Sequence, residues 1–302
     1  MTAGAPGGRI GTLVVPYLWL LLFFLTPLAI VLLISLSRAS DASPPYEPAI
    51  AIAESGTIAL RATLDSYRLL IGDDLYGAAL LNSLRIALAA TFIALSIGYP
   101  MAYAIARAPE RWRVLLVLLV ILPFWTSFLI RVYAWMALLR PTGLVNGALI
   151  ALGAVSEPLS LINNEFSLHL GIVYSYLPFM VLPIYATLTR LDWTLLEAAA
   201  DLGCRPVRAF FTVTLPLSMP GVVAGCLLVF IPASGEFVIP DLLGGPGTPM
   251  IGRVLWNEFF ANRDWPAASA LAVATLILLV APIVWWQRVE SAGAPPRRQD
   301  RR

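Results

Sequence analysis

The sequence predicts an all-α, polytopic membrane protein with six spans and both termini on the cytoplasmic side. Three observations lead there. Of 302 residues, 59% are hydrophobic and 13% charged, with a mean hydropathy of +0.81. Soluble domains carry about 45–50% apolar and about 25% charged residues, so this much apolar surface does not fit inside one soluble core. The apolar residues gather in six runs of the roughly 20 residues needed to cross a bilayer. The arginines gather in alternate connections between those runs.

The first run covers residues 11–36, through Tyr17, Trp19 and the stretch Leu20-Leu21-Leu22-Phe23-Phe24-Leu25. It is longer than the roughly 7–15 residue core of a secretory signal and has only Arg9 before it, so it reads as a retained span. Residues 80–106 and 114–138 form the second and third runs, and 168–188 the fourth. The fifth, 219–243, is interrupted by Pro232 and Pro240; the sixth is 267–286. The chain thus divides into a cytoplasmic segment 1–10, a six-helix membrane domain 11–287 and a solvated, flexible tail 288–302 containing Pro295 and Pro296. The loop 37–79, with Pro44, Pro45, Asp65, Asp73 and Asp74, reads as an extracytoplasmic cap.

Orientation follows the positive-inside rule. One side holds Arg9; Arg107, Arg111 and Arg113; Arg190, Arg205 and Arg208; and Arg288, Arg297, Arg298, Arg301 and Arg302. The other holds half as many: Arg38, Arg61, Arg68, Arg140, Arg253 and Arg263. The acidic residues divide the opposite way. The arginine-rich side, which carries both termini, is cytoplasmic.

Composition also excludes chemistries. There is no lysine, so no lysine nucleophile or phosphate-loop lysine. One histidine, His169, and two cysteines, Cys204 and Cys226, are too few for a zinc site or a disulfide framework. A net charge of +2 without an aromatic-basic motif argues against nucleic acid as a partner. A Ser234–His169 hydrolase is disfavoured because the two residues belong to different spans and no third group to orient the histidine is evident. His169 reads instead as a satisfied polar residue.

The cytoplasmic connection 189–218 is unusual. Thr194 with Glu197 three residues on predicts a capping box that starts a helix. Gly203 suits the left-handed residue that ends it, and Pro206 the first turn of the next. Leu195, Ala199 and Leu202 fall on one predicted face; Glu197 and Asp201 share another. Such a helix suits either docking into another protein or simple filling of the membrane edge.

These residues carry a resemblance. Glu197-Ala198-Ala199, Gly203 six residues after the glutamate, Val213-x-Leu215-Pro216 and Pro220-Gly221 resemble the EAA loop of ATP-binding-cassette importer permeases of type I. The resemblance implies that Glu197, Ala198, Ala199, Asp201, Gly203, Leu215 and Pro216 couple this chain to an ATPase dimer. ATP and magnesium would be used by that separate subunit, this chain binding no cofactor and catalysing no reaction; it lacks a Gly-x-x-x-x-Gly-Lys loop. The resemblance also implies a second homologous permease, an extracytoplasmic binding protein and a bacterial inner-membrane location.

Three further blocks resemble the polyamine branch of that family, most closely its putrescine permeases. They run from Pro123 to Trp135, from Gly235 to Gly245 and from Trp256 to Pro266, within a resemblance covering residues 80–287. The implied function is polyamine uptake, of putrescine or spermidine; the alternatives are another small organic solute or, without an ATPase, a secondary transporter.

The residue chemistry is compatible with an organic dication, which needs carboxylates and aromatic faces in place of water. Glu236 and Asp241 lie in or at the end of the fifth span. An intramembrane charge costs about 2.5–3.5 kcal/mol on insertion scales, which makes Glu236 a functional candidate. Its structural alternative is an ion pair with Arg131. Trp125, Tyr133, Tyr176 and Phe237, with Trp135 and Tyr174, are candidates for aromatic walls or for interface anchors. Glu258 and Asp264 read as a solvated acidic loop or a contact for the binding protein.

Overall fold

In the computed structural model, residues 7–52 and 58–293 are described. Helix α1 (Gly7–Leu20) passes through a π turn, Leu21–Leu25, into α2 (Thr26–Ser35). Two small antiparallel hairpins follow: β1 (Arg38–Ala39) with β2 (Tyr46–Glu47), and β3 (Ile50–Ile52) with β4 (Ile58–Leu60). Next come α3 (Asp65–Gly72), α4 (Asp74–Arg107), α5 (Glu110–Ile121), a 3-10 turn Leu122–Trp125, α6 (Phe128–Leu139), α7 (Leu144–Ala151) and α8 (Glu165–Leu188). The chain continues through α9 (Thr194–Asp201), α10 (Pro206–Ala209), a π turn Phe210–Thr214, α11 (Leu215–Ser234), α12 (Val238–Leu242) and α13 (Ile251–Trp256). A π turn at Asn257–Ala261 leads into α14 (Trp265–Gly293).

Among the described residues, five helical stretches are long and apolar enough to span: Val14–Ser35, Asp74–Arg107, Phe128–Ala151, Glu165–Leu188 and Pro206–Ser234. A shorter apolar stretch, Trp265–Val280, lies where the sixth run was expected.

Three expectations need correction. The third run is not one helix: the backbone turns at Leu122–Trp125 and is extended at Thr126 and Ser127 before α6 begins. Pro123 removes a backbone donor from the helical ladder at the first turn of this segment, so a continuous apolar run hides a break. The fifth helix starts earlier than residue 219 and runs through Pro232; the interruption falls at Gly235–Phe237. Residues 288–293, assigned to the tail, continue α14, and the remainder of the tail lies outside the described residues, as do residues 1–6 of the N-terminal segment.

The chain forms two compact units, Met1–Gly77 with Leu255–Arg302, and Ala78–Val254. In the first, α14 packs on α2 and α3, and the Ser35 and Tyr67 hydroxyls meet at 2.8 Å. Glu258 is buried here, not solvated. It accepts from the Tyr76 hydroxyl and the Asn262 amide, each at 3.0 Å. Asp264 caps α14 by accepting the Ala267 N–H at 2.9 Å.

The second unit has the main hydrophobic core, with Ile86, Ile172, Met180, Ile184 and Val229 fully buried. Helices α8 and α11 approach so closely that a Cβ on Gly221 would stand 2.6 Å from the Pro183 carbonyl oxygen. The Tyr99 and Ser218 hydroxyls, 2.8 Å apart, join α4 to α11. At the end of α4, Arg113 Nη2 donates to the carbonyls of Ala106 and Ala108, both at 3.2 Å, closing the turn to α5.

Candidate functional site

The connection 189–218 folds as a helix held by local chemistry. Its N-terminal stop is not the expected capping box. Asp192 Oδ1 accepts the Thr194 N–H at 3.0 Å and the Thr194 hydroxyl at 2.8 Å, and no side chain caps from the position before α9. The Asx turn at Asp192 leads into a helix that already begins at Thr194, so Thr194 does not stand at the capping position a box would have needed. Those bonds from Thr194 hold the Asp192 carboxyl below the usual carboxylate range.

The far end follows expectation. Gly203 has φ +78°, and the N–H groups of Gly203 and Cys204 donate to the carbonyls of Ala200 (2.8 Å) and Ala199 (2.9 Å). This is a Schellman closure, which needs a residue without a Cβ penalty at that φ. Pro206 then opens α10.

The helix turns one face toward the rest of the protein. Trp193, Leu196 and Ala199 are half-buried, whereas Leu195 and Leu202 are 45% and 88% exposed. Trp193 stands edge-on to Tyr103 at 6.0 Å, with the Arg107 guanidinium carbon 5.1 Å above its ring. That stack anchors the loop to the end of α4. Glu197, Ala198 and Asp201 are exposed. So is Pro216 on the first turn of α11, while Leu215 beside it is half-buried. A cleft of about 550 Å³ lies between the end of α8, the start of α9 and the first turns of α11, lined among others by Thr187, Arg190, Asp192, Leu195 and Pro220.

At the other end of α11, after Ser234, the chain breaks. Gly235 ends the helix and Glu236 turns inward, 8% exposed. Its Oε1 accepts the N–H groups of Phe237 (3.2 Å) and Val238 (3.1 Å), which open α12. Its Oε2 accepts the Tyr176 hydroxyl from α8. The expected alternative, an ion pair with Arg131, does not form. Arg131 lies instead over Phe124 and Phe128, its guanidinium carbon 5.1 and 5.8 Å from the ring centres.

The structure thus brings together Glu236, Tyr176 and Phe237 and separates the other candidates from them. Asp241 is exposed and paired with Arg253 Nε at 3.2 Å. Trp125 and Tyr133 are 77% and 53% exposed, while Trp135 packs edge-on to Tyr174 at 5.3 Å. His169 Nδ1 sits 2.6 Å from the Glu165 carbonyl oxygen, a satisfied polar residue as expected. Sequence reasoning missed Phe179 and Phe124. Phe179 lies 6.2 Å from the Tyr176 ring and 4.9 Å, edge-on, from Phe124. The three-residue spacing from Tyr176 was the available signal for Phe179.

The family described as binding-protein-dependent transport system inner membrane component matches residues 10–291. The spermidine/putrescine transport system permease protein PotB of Haemophilus influenzae is 40% identical over 278 residues, 92% of each chain. The protein of the same name from Escherichia coli is 38% identical over 270 residues, 89% of this chain and 93% of that one. Among solved structures, a bacterial transporter involved in import of the acidic polysaccharide alginate shares the fold at a TM-score of 0.66 and 15% identity, covering 95% of this chain and 96% of that one.

Proposed function

The chain belongs to the family of inner membrane components of binding-protein-dependent transport systems, and we propose that it is the permease subunit through which such a system imports the polyamines putrescine and spermidine. One observation carries the reading: the similarity to two PotB permeases extends over about nine-tenths of all the chains compared. In the complex, this chain and a second permease line the pathway, an extracytoplasmic binding protein delivers the amine, and an ATPase dimer uses ATP and magnesium. Both termini face the cytoplasm, where the arginine-rich connections lie.

The site chemistry supports the reading. An ammonium leaving water needs a carboxylate that is already desolvated and oriented. Glu236 has both properties, with Tyr176 and two backbone N–H groups fixing its oxygens. Those donors are neutral N–H and O–H groups, and among the described residues no cation pairs with the carboxyl group. The ring of Tyr176, whose hydroxyl reaches the carboxyl group, supplies further attraction for an ammonium.

The coupling loop and this carboxylate sit at opposite ends of α11. Its 20 residues span about 30 Å, the thickness of a bilayer core. When the ATPase subunits close, the exposed face of α9 (Glu197, Ala198, Asp201) and the apolar side chain of Leu202 move with them, and α10 and α11 carry that motion to Glu236. The test is uptake of labelled putrescine and spermidine into proteoliposomes holding the whole complex. Accumulation that needs both ATP and the binding protein is expected. Accumulation without ATP would return the secondary transporter.

A further inference from the structure

The unit Ala78–Val254 buries two groups of opposite formal charge, Glu236 and Arg131, 8% and 9% exposed. Among the described residues no ion pair joins them. Glu236 has three hydrogen-bond donors. Arg131 is the reverse case: its Nε and Nη1 are sealed from solvent without an acceptor. A guanidinium remains charged at any physiological pH, and a purely structural buried arginine is normally given acceptors. Here two phenyl rings hold it instead.

Aromatic rings connect the two groups. Glu236 bonds to Tyr176, Tyr176 neighbours Phe179, Phe179 meets Phe124 edge-on, and Phe124 lies beneath the Arg131 guanidinium. An ammonium approaching this line is drawn to its carboxylate end. At the other end the ring face is already occupied by a cation, and the fixed charge repels a second one.

We propose that Arg131 is a specificity-determining residue: it limits how far positive charge extends along the bound amine and so favours a short diamine over a longer triamine. The inference rests on the reading of Glu236 as the amine-binding carboxylate. Two unit charges about 10 Å apart, at an effective dielectric constant of about 20, repel enough to change a binding ratio roughly tenfold. Arg131 acts on selection, not on delivery, so its effect appears with a single binding protein common to every arm.

The experiment compares putrescine and spermidine uptake by the complete complex in proteoliposomes, with wild type, Arg131→Met and Arg131→Lys. The expected result is that Arg131→Met raises the spermidine-to-putrescine ratio of kcat/KM roughly tenfold, whereas Arg131→Lys keeps the wild-type ratio. An unchanged ratio in Arg131→Met, or an equal shift in Arg131→Lys, overturns the proposal. Should Arg131→Met not assemble, a series of diamines of increasing chain length carries the test on the wild-type complex, normalised to amine loaded on the binding protein. Uptake should fall steeply beyond one length, and a flat profile overturns the proposal. Wild type that imports neither amine removes the functional reading itself, an outcome distinct from a failure confined to the variants.

Discussion

Tyr176 and Glu236, 60 residues apart in the chain, meet in a hydrogen bond in which the phenol donates to the carboxylate. The bond ties the middle of α8 to the break between α11 and α12. It gives one buried carboxylate a fixed direction, and the account of transport turns on that geometry. Glu236→Gln removes the charge but keeps an amide oxygen for the backbone donors. Its kcat/KM for putrescine uptake should fall by about 10–100-fold, the loss of one charged, desolvated contact. Purification of the variant with its ATPase should be unaffected, and normal uptake kinetics would remove Glu236 from the pathway.

Tyr176→Phe should separate orientation from charge. Glu236 keeps its carboxyl group and its backbone donors but loses the bond that fixes Oε2. Uptake should weaken several-fold, less than in Glu236→Gln, with thermal stability in detergent lower by about 1–3 kcal/mol for the lost partner of a buried group. A Tyr176→Phe defect as deep as that of Glu236→Gln would mean that the phenol, not the carboxylate, contacts the amine.

Asp241 should behave differently from Glu236 although only five residues separate them. It is exposed and paired with Arg253 at 3.2 Å, and partly exposed pairs contribute about 0–1 kcal/mol. Asp241→Asn should leave putrescine KM within about twofold. A large rise in KM measured in the same vesicles would place Asp241 on the pathway as well.

On the connection between α8 and α11, Glu197→Arg reverses an exposed charge on α9 without touching its half-buried face. The variant should insert normally and lose co-purification with the ATPase. Gly203→Val forces a β-branched residue into a backbone with φ +78°, at a cost of about 1–2 kcal/mol or more. It should reduce ATPase stimulation by the loaded binding protein while leaving the membrane core intact. Undiminished co-purification of Glu197→Arg with full transport would detach α9 from coupling.

The Asx turn at Asp192 gives a pH dependence of known sign. Its folded carboxyl titrates below the unfolded one because Thr194 donates to the charged form. The local stabilisation is therefore complete above the unfolded value, about pH 4, and is lost as pH falls through the lower folded value. Hydrogen exchange of the α9 amides should be constant from pH 8 to 5 after correction for intrinsic rates, and protection should fall below about pH 4. Thr194→Val should move that loss to higher pH. Protection that declines between pH 7 and 5 would contradict the assignment.

Much of this was legible in the amino-acid order because it is local. Apolar runs reveal spanning stretches, and Gly203 and Pro206 mark a helix end and a helix start by backbone chemistry alone. What escaped was competition or distance. Asp192 accepts the N–H and hydroxyl of Thr194, which becomes the first residue of α9 instead of its cap, so a motif with the correct spacing did not form. The run 114–138 stayed apolar across Pro123, so hydropathy hid a turn. Glu258 looked solvated because its partner Tyr76 lies far back in the chain. Glu236 was found by its depth in an apolar segment, but its bond to Tyr176 and the rings leading to Arg131 required three helices to pack together.

The most direct measurement is ATP-driven uptake of labelled putrescine by the reconstituted complex, wild type beside Glu236→Gln, with the binding protein and ATPase constant. The account predicts uptake by wild type that needs both ATP and the binding protein, competition by spermidine, and a 10–100-fold lower efficiency, roughly, in the variant with its ATPase still bound. Putrescine uptake that is absent in wild type, or equal in the two proteins, would contradict it.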